Sequence, residues 1–354
     1  MADPPLVLQI SNEDRDYGED NAFVRGFTEL AREGVLRHVG VLPAAEPGRL
    51  AHLSSHLRPD LVLVHTPQPL PWTAHEVAPL LRNLGSPPLV VWEGDAWGGR
   101  GKPLRERNVA WMRSAEAVFS VAHGPQAELL RKASGRPVHY VPNTVPLAFA
   151  APEAQPVRPE GVALLGARMT YCGIELIRDD RERTELVRRL AATVPGFSVY
   201  GKRWRGPYAR GPVPYFEQQA AMRRALVTVG WNRYRGYPGF FSDRLPIAMA
   251  SGRVHVSSRH PDLDWLPGPD DGLHLLDSPA EAADCVRALL TEDPRLLLDR
   301  AARMRRWVLD HLTETHALRH MLAPFLPAAP PAGPWTGFAA PRPLTGARAP
   351  EGPR

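Results

Sequence analysis

GYPGFFSDRLPIAMASGRVHVSS, residues 236–258, holds a loop rich in glycine and aromatic residues, then a short helix, then Gly252 and a buried strand. Ser242 is a good N-cap and Pro246 suits a first helical turn, so a helix amino end faces the loop. Free N–H groups at such an end attract a phosphate, and Arg244 can add a charge-assisted hydrogen bond. A capped helix with Arg244 facing water fits the spacing equally well. The strand at Val254 to Ser257 belongs to a series: short apolar runs alternate with amphipathic helical patterns along the chain, the signature of parallel sheets covered by helices. Upstream in the second half lie Val162 to Leu165, Phe197 to Tyr200 and Leu226 to Val229, and downstream Leu273 to Leu276. The first half repeats the pattern at Leu6 to Ile10, Leu36 to Val41, Leu61 to Val64, Leu89 to Trp92, Ala117 to Val121 and Val138 to Val141. Its clearest helix puts Phe23, Phe27, Leu30 and Ala31 on one face, with Gly34 just past the end.

A chain of 354 residues exceeds one ordinary core, so two domains are expected. LAFAAPEAQPVRPE, residues 147–160, lacks periodicity and carries several prolines, which reads as a linker. The expected fold is α/β: a Rossmann-like domain over 1–150 and a second over 151–326, facing across a cleft, with the last helix, about 313–324, packing back on the first. Residues 327–354, rich in Pro, Ala and Gly, are expected to be a disordered, solvated tail rather than a docking peptide built on Trp335 and Phe338.

The formal charge is +5, but the arginines sit among acids, as in IRDDRERTELVRRL (177–190), a pattern that reads as solvated helix faces. Nucleic acid would need an extended stripe of phosphate contacts, whereas the cluster Lys202, Arg203, Arg205 suits a small anion. Two cysteines, Cys172 and Cys285, make no disulfide framework and fit a reducing compartment. The start MADPPLVLQISNEDRD has no basic region followed by an apolar one, and no apolar run approaches membrane-spanning length. A cytoplasmic protein without integral membrane contact, monomer or homodimer, is expected.

The loop after the first strand, SNEDRDYGED, lacks GxGxxG and is acidic, which argues against a nicotinamide or flavin cofactor. GGRGKP (98–103) is no P-loop, since Ala96 stands where a glycine is required and Pro103 where Ser or Thr is required. What remains is a basic loop with Arg100, Lys102, Arg105 and Arg107, either solvated or closing over an acceptor. His52/His56 and His316/His320 have helical i,i+4 spacing without an acidic partner or third ligand, so surface placement and no metal are expected.

FFSDRLPIAMASGRVHVSSRHPDLDWL resembles the donor-site segment of family 4 type GT-B glycosyltransferases, closest to the spore-maturation-protein branch. Further pieces follow in matching order: LRPDLVLVHTP (57–67), VVWEGDAW (90–97), VHYVPNTVP (138–146), FSVYGKRWRG (197–206) and HLTETHALRHML (311–322). The resemblance implies a GT-B fold, a nucleotide diphosphate sugar as donor on the second domain, no cofactor or metal, and retention of anomeric configuration. It also implies that Gly166 and Arg168 after VALLG, with Lys202, Trp204, Asn232, Phe241, Ser242, Asp243 and Arg244, hold the donor. For Trp204 a place in the core, and for Lys202 a plain surface charge, fit equally well. Two family glutamates, eight residues apart, are replaced by Gly239 and Ile247, and Asp243 is the available carboxylate one helical turn earlier.

On the acceptor side Glu93 and Asp95 stand just past a strand end, where a carboxylate takes the acceptor's proton or binds its hydroxyl. Asp95, matching the branch's pattern, is the first choice, with His123 and His65 behind it; for His65 a structural role at a strand end fits at least as well. Tyr17 and Gly18 are further acceptor candidates. The expected activity is hexosyl transfer to a small molecule or glycan, with a role in secondary metabolism. The alternatives are a non-catalytic GT-B nucleotide-sugar-binding partner protein, or a nucleotide-sugar epimerase.

Overall fold

The computed structural model describes residues 3–11, 23–41, 48–67, 70, 72–98, 102–151, 159–325 and 333–336. Tyr17 and Gly18 lie outside these residues, as do Arg100 and Phe338.

The chain forms two compact units, one of Met1–Gly98, Lys102–Val141 and Thr315–Arg354, the other of Gly99–Gly101 and Pro142–Glu314. The first holds a parallel sheet of β1 (Leu6–Ser11), β2 (Arg37–Val41), β3 (Leu61–His65), β4 (Leu89–Glu93), β5 (Ala117–Ser120) and β6 (Val138–Tyr140), in the order β2-β1-β3-β4-β5-β6. Between them run α1 (Val24–Arg32), α2 (Arg49–Ser54), α3 (Ala74–Asn83), α4 (Glu106–Ser114) and α5 (Gly124–Ser134). β3, β4 and β5 are buried at each position, as strands covered on both faces must be, so they read as unbroken apolar runs.

The second unit repeats the plan with β7 (Val162–Leu165), β8 (Ser198–Tyr200), β9 (Ala209–Gly211), β10 (Val227–Val229), β11 (Val254–Ser258) and β12 (Leu273–Leu276), all parallel, ordered β12-β11-β10-β7-β8-β9. Its helices are α6 (Arg178–Thr193), α7 (Gln218–Arg223), α8 (Arg244–Ala250), α9 (Pro279–Leu289) and α10 (Pro294–His311), and the last helix, α11 (Glu314–Leu322), lies almost wholly in the first unit. β9, a three-residue edge strand rich in small and charged residues, carries no apolar run and has no counterpart in the expected strand series. The chain leaves β7 toward β8 and β9, then returns on the other side of β7 as β10. Such a reversal opens a crevice at the carboxyl ends of the two strands.

Three expectations are corrected. The first half of α6 is no solvated face: Asp179, Asp180, Glu182, Arg183 and Thr184 are buried. His320 is buried rather than at the surface, against Phe119 and, edge-on, Trp335. Residues 333–336 form a turn in which Trp335 is 1% exposed, so this short piece docks instead of being solvated.

Gly201 shows how closely β7 and β8 converge. Its φ is +151°, and a Cβ there would stand 2.3 Å from the Gly166 carbonyl oxygen. No flexible side chain can yield, so backbone must move. Gly201→Ala is expected to cost about 2–4 kcal/mol, read as a lowered midpoint in chemical or thermal unfolding.

Candidate functional site

In the second unit the site begins with the charged turns of α6. The apolar stripe Leu190, Val187, Leu186 continues toward the amino end as Arg183 and then Asp179 and Asp180, one helical turn at a time. These charges meet the loop that follows β10. Arg233 donates to Asp180 (3.0 Å), Arg235 to Glu182 (2.5 Å), the Arg235 backbone N–H to Asp179 (3.3 Å), and Trp231 Nε1 to Glu182 (3.2 Å). Arg183 itself donates to the carbonyls of Ala167 (3.0 Å) and Trp231 (2.8 Å), bridging the two loops at the strand reversal. Burial, then the neighbouring Arg244, lowers its pKa to about 10, which leaves it cationic at neutral pH.

The fixed loop sets Asn232. Its backbone N–H donates to Ser258 Oγ (3.0 Å) and its Nδ2 to Ser257 Oγ (3.3 Å), while its Oδ1 accepts from Ser242 Oγ (2.8 Å). Ser242 is thereby tied to Asn232 and does not cap the helix, which starts at Arg244 with Asp243 before it and no side-chain cap. The result is a defined position for Arg244, whose guanidinium makes no hydrogen bond or ion pair among the described residues.

Two adjoining hollows share Arg244. The smaller has room for about one water, roughly 10 Å³, and is lined by Arg183, Asn232, Ser242, Arg244, His255 and Ser257 among others. His255 is kept neutral there, its pKa lowered to about 3 by burial and then by His274, with Thr228 Oγ1 2.9 Å from Nδ1. The larger, about 160 Å³, is lined by Gly166 and Ala167 past β7, Gly201 and Lys202 past β8, Pro212 and Val213 past β9, Gln218 on α7, and Arg244.

Of the expected donor residues, the structure brings Gly166, Lys202, Asn232, Ser242 and Arg244 to these hollows. It diverts others. Arg168 lines neither hollow; its Nε is paired with Glu175 (2.7 Å). Trp204 takes the core alternative, packing on the unit's apolar cluster while its Nε1 donates to Gly166 O (2.6 Å). Phe241 is buried, its carbonyl accepting from Asn143 Nδ2 (2.8 Å). Ile247 is buried, and Gly239 has φ +73° with its N–H on Pro261 O, so neither offers an anionic contact. Arg183, Gln218 and His255 are additions that sequence reasoning missed; the helical stripe of α6 was the signal available for Arg183.

In the first unit, the turn after β4 is held from within. Asp95 N–H donates to Glu93 Oε1 (3.2 Å), Asn108 Nδ2 to Glu93 Oε2 (2.8 Å), Trp97 N–H to Gln126 Oε1 (2.9 Å), and Gln126 Nε2 to Asp95 O (3.0 Å). Glu93 is fully buried, which corrects its expected contact with an acceptor: its carboxyl braces the turn. Burial, then the Asp95 charge, pushes its pKa up to about 8. Asp95 is the outward group, 42% exposed and paired with Lys102 at 2.7 Å, whose ammonium also lies 4.6 Å from the Trp97 ring centre. Gln126, on α5, ties the amino end of that helix to the same turn; His123, just before it, stacks on Tyr140 at 4.0 Å. His65 is a core residue, 4% exposed, between Phe23 and Trp92 with its pKa lowered to about 3 by burial. Among the described residues no group of three or more His, Cys, Asp or Glu could hold a metal ion, and no helix is long and apolar enough to cross a membrane.

The comparisons agree with this architecture. Residues 181–323 match a protein family described as glycosyl transferase-like. No curated protein matches the chain by sequence. Among solved structures, HepE of Anabaena, in complex with UDP and glucose, superposes with a TM-score of 0.59 at 12% identity, covering 90% of this chain and 98% of that one. Sucrose-phosphate synthase of Thermosynechococcus elongatus gives 0.57 at 13% identity, covering 88% and 96%. T4 phage BGT, in complex with its UDP-glucose substrate, gives 0.54 at 11% identity, covering 89% and 99%. The fold is that of the two-domain GT-B proteins.

Glu93 gives a pH test. Its folded pKa, about 8, stands above the ordinary 4.5, so the folded state holds a proton that the unfolded state has lost. Its contribution to stability is full below about pH 4.5, falls as pH rises, and levels off past pH 8. Glu93→Gln, neutral throughout, is expected to gain in melting temperature relative to the parent chain between pH 5 and pH 9. A difference that stays constant over that range counts against the buried acid.

Proposed function

We propose that this chain is a glycosyltransferase that takes a sugar from a nucleotide diphosphate donor held by the second unit. The observation that carries the proposal is Arg244, an unpaired guanidinium shared by a polar hollow over Arg183 and a larger cavity at the ends of β7, β8 and β9. A nucleoside in the larger cavity puts its diphosphate against Arg244, with a phosphate oxygen, rather than a whole phosphate, directed to the small hollow. Lys202 adds a second cation at the cavity wall.

Cleaving the bond between sugar and diphosphate develops negative charge on the leaving group. Fixed cations that meet this charge lower the barrier more than they tighten the ground state. Arg183 supports them with positive field, and its hydrogen bonds fix the two loops that border the site. Asp95 is assigned to the acceptor, taking the proton of its hydroxyl or orienting it, with His123 in support. Glu93 holds the Asp95 turn. The matched glycosyl transferase-like segment supports glycosyl transfer, and the family resemblance implies that it is hexosyl transfer, retaining and metal-independent; the acceptor in this reading is a small molecule or a glycan. Since HepE and BGT were solved with UDP or UDP-glucose, uridine donors are the first to test.

The second reading is a GT-B protein that binds a nucleotide sugar without turnover. Gly239 and the buried Ile247, where related chains carry glutamates, favour it.

Binding and turnover separate the two. Arg244→Ala is expected to weaken binding of the preferred nucleoside diphosphate roughly 10- to 100-fold, by calorimetry. Asp95→Asn is expected to leave that binding intact while cutting sugar transfer about 100-fold, by product assay. Tight nucleotide binding with neither donor hydrolysis nor transfer selects the non-catalytic reading.

A further inference from the structure

We infer that Gln218 reads the nucleobase of the donor, and so sets which nucleotide sugar this chain accepts. The inference rests on the donor reading above and gives the larger cavity a specific task.

α7 begins with two glutamines whose circumstances differ. Gln219 is buried and spent on structure, its Nε2 donating to Phe149 O (2.8 Å) and Ala250 O (3.1 Å). Gln218 makes no side-chain hydrogen bond among the described residues, and its Oε1 is buried without a partner. A buried amide left unpaired is costly, because water no longer solvates it and no protein group replaces the water. Gln218 as a whole is only half-buried, so its carboxamide is committed to no protein group and remains available to a ligand in the cavity it lines.

The surroundings specify the ligand. Gln218 lines the 160 Å³ cavity together with the backbone-rich walls at Gly166–Ala167 and Gly201, and with Pro212 and Val213, which offer apolar surface to a flat ring. The cations Lys202 and Arg244 line the same cavity, so an anionic and an uncharged part of one molecule are accommodated side by side. A phosphate or a ribose hydroxyl does not need an amide. A nucleobase edge does, since it presents a donor and an acceptor next to each other, and a carboxamide presents the complementary pair in one plane. A half-turn about its last torsion exchanges the oxygen and nitrogen, so the same side chain can present either group to the cavity.

The test is calorimetric titration of the full chain with UDP, CDP, ADP and GDP, comparing the parent with Gln218→Leu and Gln218→Glu, each first checked for an unchanged melting temperature. Arg244→Ala serves as the reference. The parent is expected to prefer one base. Gln218→Leu is expected to weaken that nucleotide about 10-fold and to flatten the preference among bases, whereas Arg244→Ala weakens all four alike. Gln218→Glu, which keeps acceptors and loses the donor, is expected to reorder the preference. If the parent binds its preferred nucleotide and both Gln218 variants reproduce its affinities and ranking, the inference is overturned while the donor reading stands. If none of the four binds the parent chain, the donor reading falls and the inference with it.

Discussion

The hollows of the second unit depend on charge buried at the start of one helix. Asp179, Asp180, Glu182 and Arg183 occupy the face of α6 where apolar residues would ordinarily go, and each meets a complementary group on the loop after β10. Buried charges are tolerated only when paired, and removing one partner costs more than the pair contributes. The loop is therefore committed to one geometry. Asn232 inherits it, Ser242 is fixed by Asn232, and the first turn of α8 sets out Arg244 from there. Arg244 thus owes its position to ion pairs on another helix.

The first unit reaches a comparable end by different means. Its turn after β4 is satisfied by neutral amides, Gln126 and Asn108, and by a carboxyl that burial holds protonated over much of the neutral range. The only acid of that turn left in contact with water is Asp95. Buried polar groups here do the orienting, and the one exposed carboxylate of the turn is left to pair with Lys102.

The sheet strands were legible because parallel strands covered on both faces must be apolar throughout, and runs such as LVLVH and LVVWE have no other reading at that length. β9 was not, because an edge strand of Ala, Arg and Gly has no apolar pattern to see. Sequence position located residues just past strand ends, putting Gly166, Lys202 and Asn232 at the hollows and Asp95 at an exposed turn. It failed where the side chain's direction depends on tertiary partners. Arg168 and Arg244 look equivalent in sequence, yet Glu175 takes one and leaves the other. The composition of IRDDRERTELVRRL suggests a solvated face, but helical phase decides its burial: along the stripe from Leu190, Arg183 falls on the inner face. Trp204 and His65 carry flat rings that fit a core as readily as a ligand, and sequence alone left that choice open.

Arg183 grips the carbonyl of Ala167 on one loop and that of Trp231 on the other, across the place where the chain reverses its path through the sheet. Neither loop can shift without dragging its neighbour. The rims of the crevice act as a single jaw, and an entering substrate must find that jaw ready-shaped or displace it whole.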